Sequence, residues 1–315
     1  MERRVIVEMN NQPLVSVPVI TYNSSKFVLE TLESIKAQTY QNIELIISDD
    51  CSTDNTVELC RKWVEENKER FVRTQIITSK TNTGVSANLN RAEAACQGEW
   101  VKGIAGDDLL MPDCIMDCVE YAQQHSDIIY LFGRIEALGS VEERNEYFTK
   151  EVFDYSFFDL DIEGQFEQLV FGSNSVPAST CFYNRPKANT LCIKNDERIP
   201  LLEDWPKWIK ILEKGVKLYS IDKVTVRYRI HDGSLSTSNR GSVKMMESMQ
   251  LFNLYYRYPI WLQRDNNIAV AKMVKEYTNI YIDFLNKEKE CESIRSSKAY
   301  RLGNMLLRPF KWLRR

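Results

Sequence analysis

Four polar clusters carry side chains that can do chemistry: Asp49-Asp50, Asp107-Asp108, Glu203-Asp204 and His231-Asp232. Two ionised carboxylates side by side repel each other and call for a cation. Hard divalent ions take one or two carboxylates together with phosphate oxygens. A lone carboxylate in a cleft can instead remove a proton from a reacting hydroxyl. Tyr22, within Thr21-Tyr22-Asn23, offers a ring that can stack on a base. Each cluster taken singly also fits a bland role. Asp is frequent in turns, and an acidic residue at a helix start is favoured by the helix dipole.

The elements around the clusters give them weight. Residues 100–105 form a short apolar run that ends in Gly106-Asp107-Asp108, and such runs bounded by Gly and Pro read as strands. Residues 15–20 read as a strand ending at Thr21-Tyr22-Asn23, with Pro18 predicting a bulge or a late start. Residues 43–48 form a second strand, ending at Asp49-Asp50, and residues 75–78 a third. Helical spacing predicts helices through Val28, Leu32 and Ile35 after a Ser cap, from about Asn55, and from the Asn82-Thr83-Gly84 turn to Cys96. Strands are also expected at 128–132, at 176–182, at 217–221 and at 224–230, with a helix opening at Glu203-Asp204. Strand–helix alternation with short connections predicts an α/β fold with a mostly parallel sheet flanked by helices. In such a sheet, strand ends lie on one edge, so the clusters can converge on one cleft. Residues 173–177 are the candidate acceptor-side loop.

Composition narrows the function. The 315 residues are 43% hydrophobic and 27% charged, as in an ordinary globular protein, and the net charge of -3 speaks against a nucleic-acid partner. Eight cysteines at irregular spacings and two histidines, His125 and His231, argue against a zinc site. The cysteines read as small core residues of a reducing cytosol. No apolar run approaches the ~20 residues needed to span a bilayer.

In this order the segments resemble glycosyltransferase family 2, the inverting enzymes of the GT-A fold, over about residues 14–235. Residues 15–23 resemble that family's first strand and nucleotide loop. Ser48-Asp49-Asp50-Cys51-Ser52-Thr53-Asp54 resembles its "DDGSTD" segment, with Cys51 in place of glycine. Asn82-Thr83-Gly84-Val85-Ser86 resembles its "NxGxS" turn, and Gly106-Asp107-Asp108 its metal-binding "DxD". Leu202-Glu203-Asp204-Trp205 resembles its "ED" motif. Residues 228–236, beginning Tyr228-Arg229-Ile230-His231, resemble the "YRxHxxSxS" segment of bacterial surface-polysaccharide members.

The resemblance implies a nucleotide-binding set of Thr21, Tyr22, Asn23, Asp49, Asn82 and Asp107. It implies Asp108 and His231 as ligands of Mn²⁺ or Mg²⁺, and Asp204 as general base. Arg91, Glu203 and Trp205 are candidate diphosphate or acceptor contacts. Arg91 would replace the arginine that relatives carry where this chain has Leu89. The implied reaction moves a sugar from a nucleotide-diphosphate sugar, a UDP-sugar by family habit, to a saccharide or lipid-linked saccharide. The alternatives are a nucleotidyltransferase, disfavoured by the lack of glycine in residues 14–30, and a non-catalytic sugar-nucleotide or glycan-binding module.

The expected organisation is a lead-in at 1–13, a GT-A domain at 14–240 and a helical region at 241–315. Residues 298–315 hold six Lys or Arg, no acidic residue, and Phe310, Trp312 and several Leu. Basic amphipathic segments of this kind lie in membrane interfaces, so a cytoplasmic enzyme at the inner face of the membrane is expected. A terminal helix docked on the domain is the alternative.

Overall fold

In the computed structural model, which describes residues 12–139, 153–231 and 243–264, the first apolar run becomes β1 (Val15–Thr21). On one side β1 pairs in parallel with β2 (Ile43–Asp49), which pairs with β3 (Arg73–Thr78). On its other side lie β4 (Trp100–Lys102) and β5 (Ile104–Ala105), again parallel. Parallel neighbours need crossovers, and these are α1 (Val28–Lys36), α2 (Thr56–Asn67) and α3 (Val85–Ala95). Val28, Leu32 and Ile35 are fully buried on the inner stripe of α1.

Pro18 neither bulges β1 nor delays it. It pairs in register with Ile46. The interruption falls on the neighbouring strand, at Gly103 between β4 and β5. A residue without an N–H is tolerated where the adjacent ladder is broken. Nor does a serine cap α1. Phe27 is its N-cap, and the Ser24 carbonyl accepts from the Phe27 and Val28 N–H groups at 3.0 and 2.9 Å.

The second half of the sheet is mixed. It contains β6 (Leu109–Leu110), β7 (Tyr130–Leu138), β8 (Phe182–Asn184) and β9 (Leu218–Arg229), with α4 (Cys114–Gln124), α5 (Ile162–Phe171), α6 (Arg185–Thr190) and α7 (Asp204–Glu213) between them. β8 runs antiparallel to β4 and β7, β9 parallel to β7, and β6 antiparallel to β9. The nine strands among the described residues follow the order β3-β2-β1-β4-β8-β7-β9-β6, with β5 beside β1.

Two strand expectations need correcting. Residues 176–182 do not form a strand, because Thr180 N–H folds back onto Pro177 O in a 3-10 turn over Ala178–Thr180. The stretches 217–221 and 224–230 are one strand, β9, and register shifts against β7 near Arg134 take up the irregularity.

A buried charge pins β2. Glu44 is fully buried and accepts from Ser16 Oγ, from Gln97 N–H and from Gly98 N–H, and it pairs with Arg73 at 2.8 Å. These donors outweigh the desolvation that would raise its pKa, and hold it below the ordinary carboxylate range. Cys60, Cys96, Cys114 and Cys118 are buried free thiols, as a core role demands, whereas Cys51 and Cys181 are half-buried and Cys192 is exposed, outside the core.

The chain divides into two units, residues 1–234 and 235–315. The described part of the second is α8 (Val243–Phe252), a π-helical turn (Asn253–Arg257) and α9 (Tyr258–Arg264). Within it Phe252 and Tyr256 are buried and stack with ring centroids 5.8 Å apart. Residues 265–315, including the basic tail, lie outside the described residues. Among the described residues no helix is long and apolar enough to cross a membrane.

Candidate active site

Thr21 and Asp49 are register partners at the carboxyl ends of β1 and β2, where parallel α/β sheets hold ligands. Thr21 Oγ donates to Asp49 Oδ2 at 2.8 Å, and Ser52 N–H donates to Asp49 Oδ1 at 2.8 Å. Asp49 is 1% exposed, whereas Tyr22, next along from Thr21, is 48% exposed. The two loops are laced together: Asn23 N–H donates to Ser52 Oγ, and Thr53 N–H donates to Asn23 Oδ1, both at 2.8 Å. Asn23 and Cys51 both adopt left-handed backbone, with φ of 52° and 68°. Relatives' glycine at the Cys51 position is the residue that this geometry favours.

Asp50 serves the next loop. It accepts from the Thr83 and Gly84 N–H groups at 2.8 and 2.7 Å, and Arg91 reaches it at 3.4 Å. Arg91 also donates to Thr83 Oγ at 2.8 Å. Its charge is therefore used within the loops at the ends of β2 and β3. Asn82 is exposed, and its Oδ1 accepts from Gly84 N–H at 3.1 Å.

The acidic turn sits beside these loops because β5 is parallel to β1. Gly106 N–H donates to Ile20 O at 2.9 Å. A Cβ on Gly106 would stand 2.8 Å from Thr21 Cγ2, so close approach excludes the first aspartate of the "DxD" pattern. β6 then carries the turn to the end of β9, through antiparallel pairing of Leu109 with Arg227. There Arg229 N–H donates to Asp108 Oδ1 at 2.8 Å, and Arg229 Nε to Asp107 O at 2.7 Å. His231 Nε2 lies 3.1 Å from Asp107 Oδ2. The Arg229 guanidinium stands 4.6 Å from the centre of the Phe27 ring and pairs with Glu30 at 2.7 Å, while Phe27 packs on the His231 ring with centroids 4.6 Å apart.

The two aspartates differ sharply. Asp107 and His231 keep 29% and 23% of their side-chain surface exposed. Asp108 is buried, and burial, then the Asp107 charge, pushes its carboxyl well above the ordinary range. Among the described residues no three His, Cys, Asp or Glu side chains cluster as a ready-made metal cage.

Glu203 and Asp204 open α7. Asp204 Oδ1 accepts from Trp205 N–H and its Oδ2 from Asn174 Nδ2, each at 2.7 Å. Burial raises both carboxyls, and the Asp204 charge raises Glu203 further. Trp205 is buried and donates its indole N–H to Leu169 O at 2.9 Å, which makes it a packing residue of α7 against α5. The α7 helix is tied to the loops at the ends of β2 and β3 through α3. Lys207 pairs with Glu93 at 3.0 Å, Ser86 Oγ donates to Ile199 O at 2.8 Å, and Gly84 (φ 88°) abuts Pro200 so closely that a Cβ would stand 2.7 Å from Pro200 Cβ.

Sequence reasoning did not single out Arg229, Phe27 or Glu30. Arg229 lay within the quoted Tyr228-Arg229-Ile230-His231 segment, but nothing local to Phe27 or Glu30 signals the contact.

A parallel half-sheet presenting polar loops and an acidic turn, extended by mixed strands, is the GT-A architecture of sugar-transferring enzymes. The chain belongs to glycosyl transferase family 2, whose model matches residues 16–187, more than half of its length. It is a glycosyltransferase, and the nucleotidyltransferase and binding-module alternatives are set aside. Among relatives it is 28% identical, over 73% of this chain and 69% of the other, to an uncharacterized glycosyltransferase of Haemophilus influenzae. It is 26% identical, over 71% of this chain and 80% of the other, to the UDP-Glc:alpha-D-GlcNAc-diphosphoundecaprenol beta-1,3-glucosyltransferase WfaP of Escherichia coli. In fold it is similar to the mannosyltransferase PcManGT of Pyrobaculum calidifontis, solved with GDP-Man and Mn²⁺. That likeness has a TM-score of 0.56, 16% identity, and covers 93% of this chain and 84% of that one. The family match ends before Asp204 and His231.

Proposed function

We propose that this enzyme transfers a sugar, with inversion, from a nucleotide-diphosphate sugar to a hydroxyl of a saccharide or lipid-linked saccharide during surface-polysaccharide synthesis. Tyr22 stacks on the nucleobase, Asp49 and its loop partners Thr21 and Asn23 form the base's edge contacts, and Asp50, Asn82 and Arg91 shape the adjoining loop. Asp204 takes the proton of the attacking hydroxyl.

The observation that carries the reading is the 3.1 Å approach of His231 to Asp107. Two donor atoms about 2.1 Å from one octahedral ion, at right angles, stand about 3 Å apart. Asp107 and His231 therefore fit a divalent ion completed by diphosphate oxygens. Bound there, Mn²⁺ or Mg²⁺ would neutralise the leaving diphosphate. Asp107, rather than Asp108, supplies the carboxylate ligand, because Asp108 is buried and committed to Arg229 N–H. WfaP's name pairs UDP-Glc with a lipid-linked acceptor, which supports a UDP-sugar here, and the GDP-Man and Mn²⁺ of PcManGT support a metal. A lipid-linked acceptor fits the basic segment 298–315 at an anionic inner membrane face, with each Lys or Arg worth about 1 kcal/mol there.

The test is a thermal-shift series with UDP-glucose, UDP-GlcNAc and GDP-mannose, with and without Mn²⁺, since ligands of the folded state raise its apparent stability. Metal-dependent stabilisation followed by nucleotide release is expected. Stabilisation indifferent to Mn²⁺ would overturn the metal assignment. Asp204→Asn should cut transfer by ~10²–10⁴ with donor binding kept.

A further inference from the structure

We infer that Asn174 is a positioning residue for the base: its side-chain amide holds the Asp204 carboxylate ionised and fixed in direction. The inference deepens the reading of Asp204 as base and rests on it. Asn174 stands in the loop between α5 and the 3-10 turn at Ala178–Thr180. Its two amide atoms have different tasks. Val176 N–H donates to Asn174 Oδ1 at 3.0 Å, so the oxygen end is taken by the backbone. The nitrogen end therefore faces Asp204, and Nδ2 donates to Oδ2 at 2.7 Å. The loop itself is held by Gln168 Nε2, which donates to Ser175 Oγ at 3.3 Å, and by the burial of Ser175 and Val176.

A base must be ionised when the acceptor arrives. Asp204 works against burial, which disfavours its charge. What favours the charge is the Trp205 N–H on Oδ1, the start of α7, and the Asn174 amide on Oδ2. The remaining charged groups nearby are Lys207, one turn along α7, and its partner Glu93 on α3, while α5, packed against α7, carries Glu163 and Glu167. One donor on each oxygen also fixes the carboxylate plane, leaving one lone pair of each oxygen for a substrate proton.

The experiment needs no identified acceptor. Aspartate labelled with ¹³C at the carboxyl is followed by NMR through a pH titration, the Asp204 resonance being assigned by its loss in Asp204→Asn. Asn174→Ala removes the donor and should raise the Asp204 midpoint by about one pH unit, the worth of a hydrogen bond to a charged group. Asn174→Asp keeps an oxygen for Val176 N–H, so the loop is preserved, but sets a carboxyl against Asp204. It should raise the midpoint further, as paired carboxyls do. A midpoint in Asn174→Asp that coincides with the native one overturns the inference, whatever happens to the rate. Nucleotide release from UDP-glucose by Asp204→Asn separates the two readings. Near-native release would sink Asp204 as base. Lost release with an unmoved midpoint in the Asn174 variants would sink only the positioning role.

Discussion

His231 Nε2 and Asp107 Oδ2 lie 3.1 Å apart across 124 positions of chain. The pairing of β6 with β9 makes the approach, and Arg229 fastens it by reaching Asp107 O, Asp108 Oδ1 and Glu30. The acidic turn and the end of β9 are thereby held together. Asp107→Ala and His231→Ala should each remove most of the Mn²⁺-dependent part of UDP binding while leaving the metal-free part. Calorimetry of UDP with and without Mn²⁺ reads both. If either variant binds UDP with full metal dependence, that residue is not a ligand.

Asp108 tests the same assignment from the other side. Its carboxyl accepts from the partly buried Arg229 N–H, and leaving such a donor unmet costs about 1 kcal/mol, the low end of the range for buried donors. Asp108→Ala should lower unfolding stability by that amount, whereas Asp108→Asn, which keeps an acceptor oxygen, should lose less. Urea unfolding decides it. Equal stability of Asp108→Ala and the native chain would show that the Arg229 contact contributes nothing.

Tyr22 is an exposed ring at the head of β1, in a loop laced to Ser52 and Thr53. Stacking on a base is worth about 1–3 kcal/mol, so Tyr22→Ala should weaken nucleotide affinity by about 10–100-fold. Thermal stability should move little, since about half of the residue is exposed. The opposite pattern, lost stability with kept affinity, would make Tyr22 a packing residue.

Which of these features the sequence announced follows from physical range. Strand ends carry their own signal: the apolar runs before Thr21, Asp49 and Gly106 place those residues at the sheet's carboxyl edge, and the structure has them there. Register contacts between distant strands carry none. Nothing near Asp108 marks it as the acceptor of a main-chain N–H from residue 229, so local pattern could not tell it from Asp107. Pro18 read as a defect in β1, although its missing donor is absorbed by the break at Gly103 on the neighbouring strand. The 176–182 run is apolar enough for a strand, but Pro177 O captures Thr180 N–H, and short-range turn bonding wins over pattern. Gly106 takes the place of the first aspartate of the "DxD" pattern. The 2.8 Å approach to Thr21 gives the reason for it.

Glu203 links the pH dependence of stability to the choice of base. Burial, then the charge of Asp204, raises its carboxyl above the ordinary range. The folded chain therefore binds a proton at Glu203 that the unfolded chain releases. The stabilising contribution is complete below the unfolded value of about 4.3 and is lost as pH rises through the raised folded value. Glu203→Gln removes a group that is costly to ionise in place, so it should be more stable than the native chain at pH 8, by about 1 kcal/mol once partial exposure is discounted. The gap should close toward pH 5. Thermal or urea unfolding across that range measures it, and parallel curves for the two proteins would show that Glu203 titrates normally. The same asymmetry serves the chemistry. Two adjacent carboxyls cannot both ionise cheaply, and the one with an Asn174 amide and a helix-start N–H on its oxygens is Asp204. A neutral Glu203 leaves the negative charge on Asp204, the proposed base, so Glu203→Gln should retain transfer where Asp204→Asn does not.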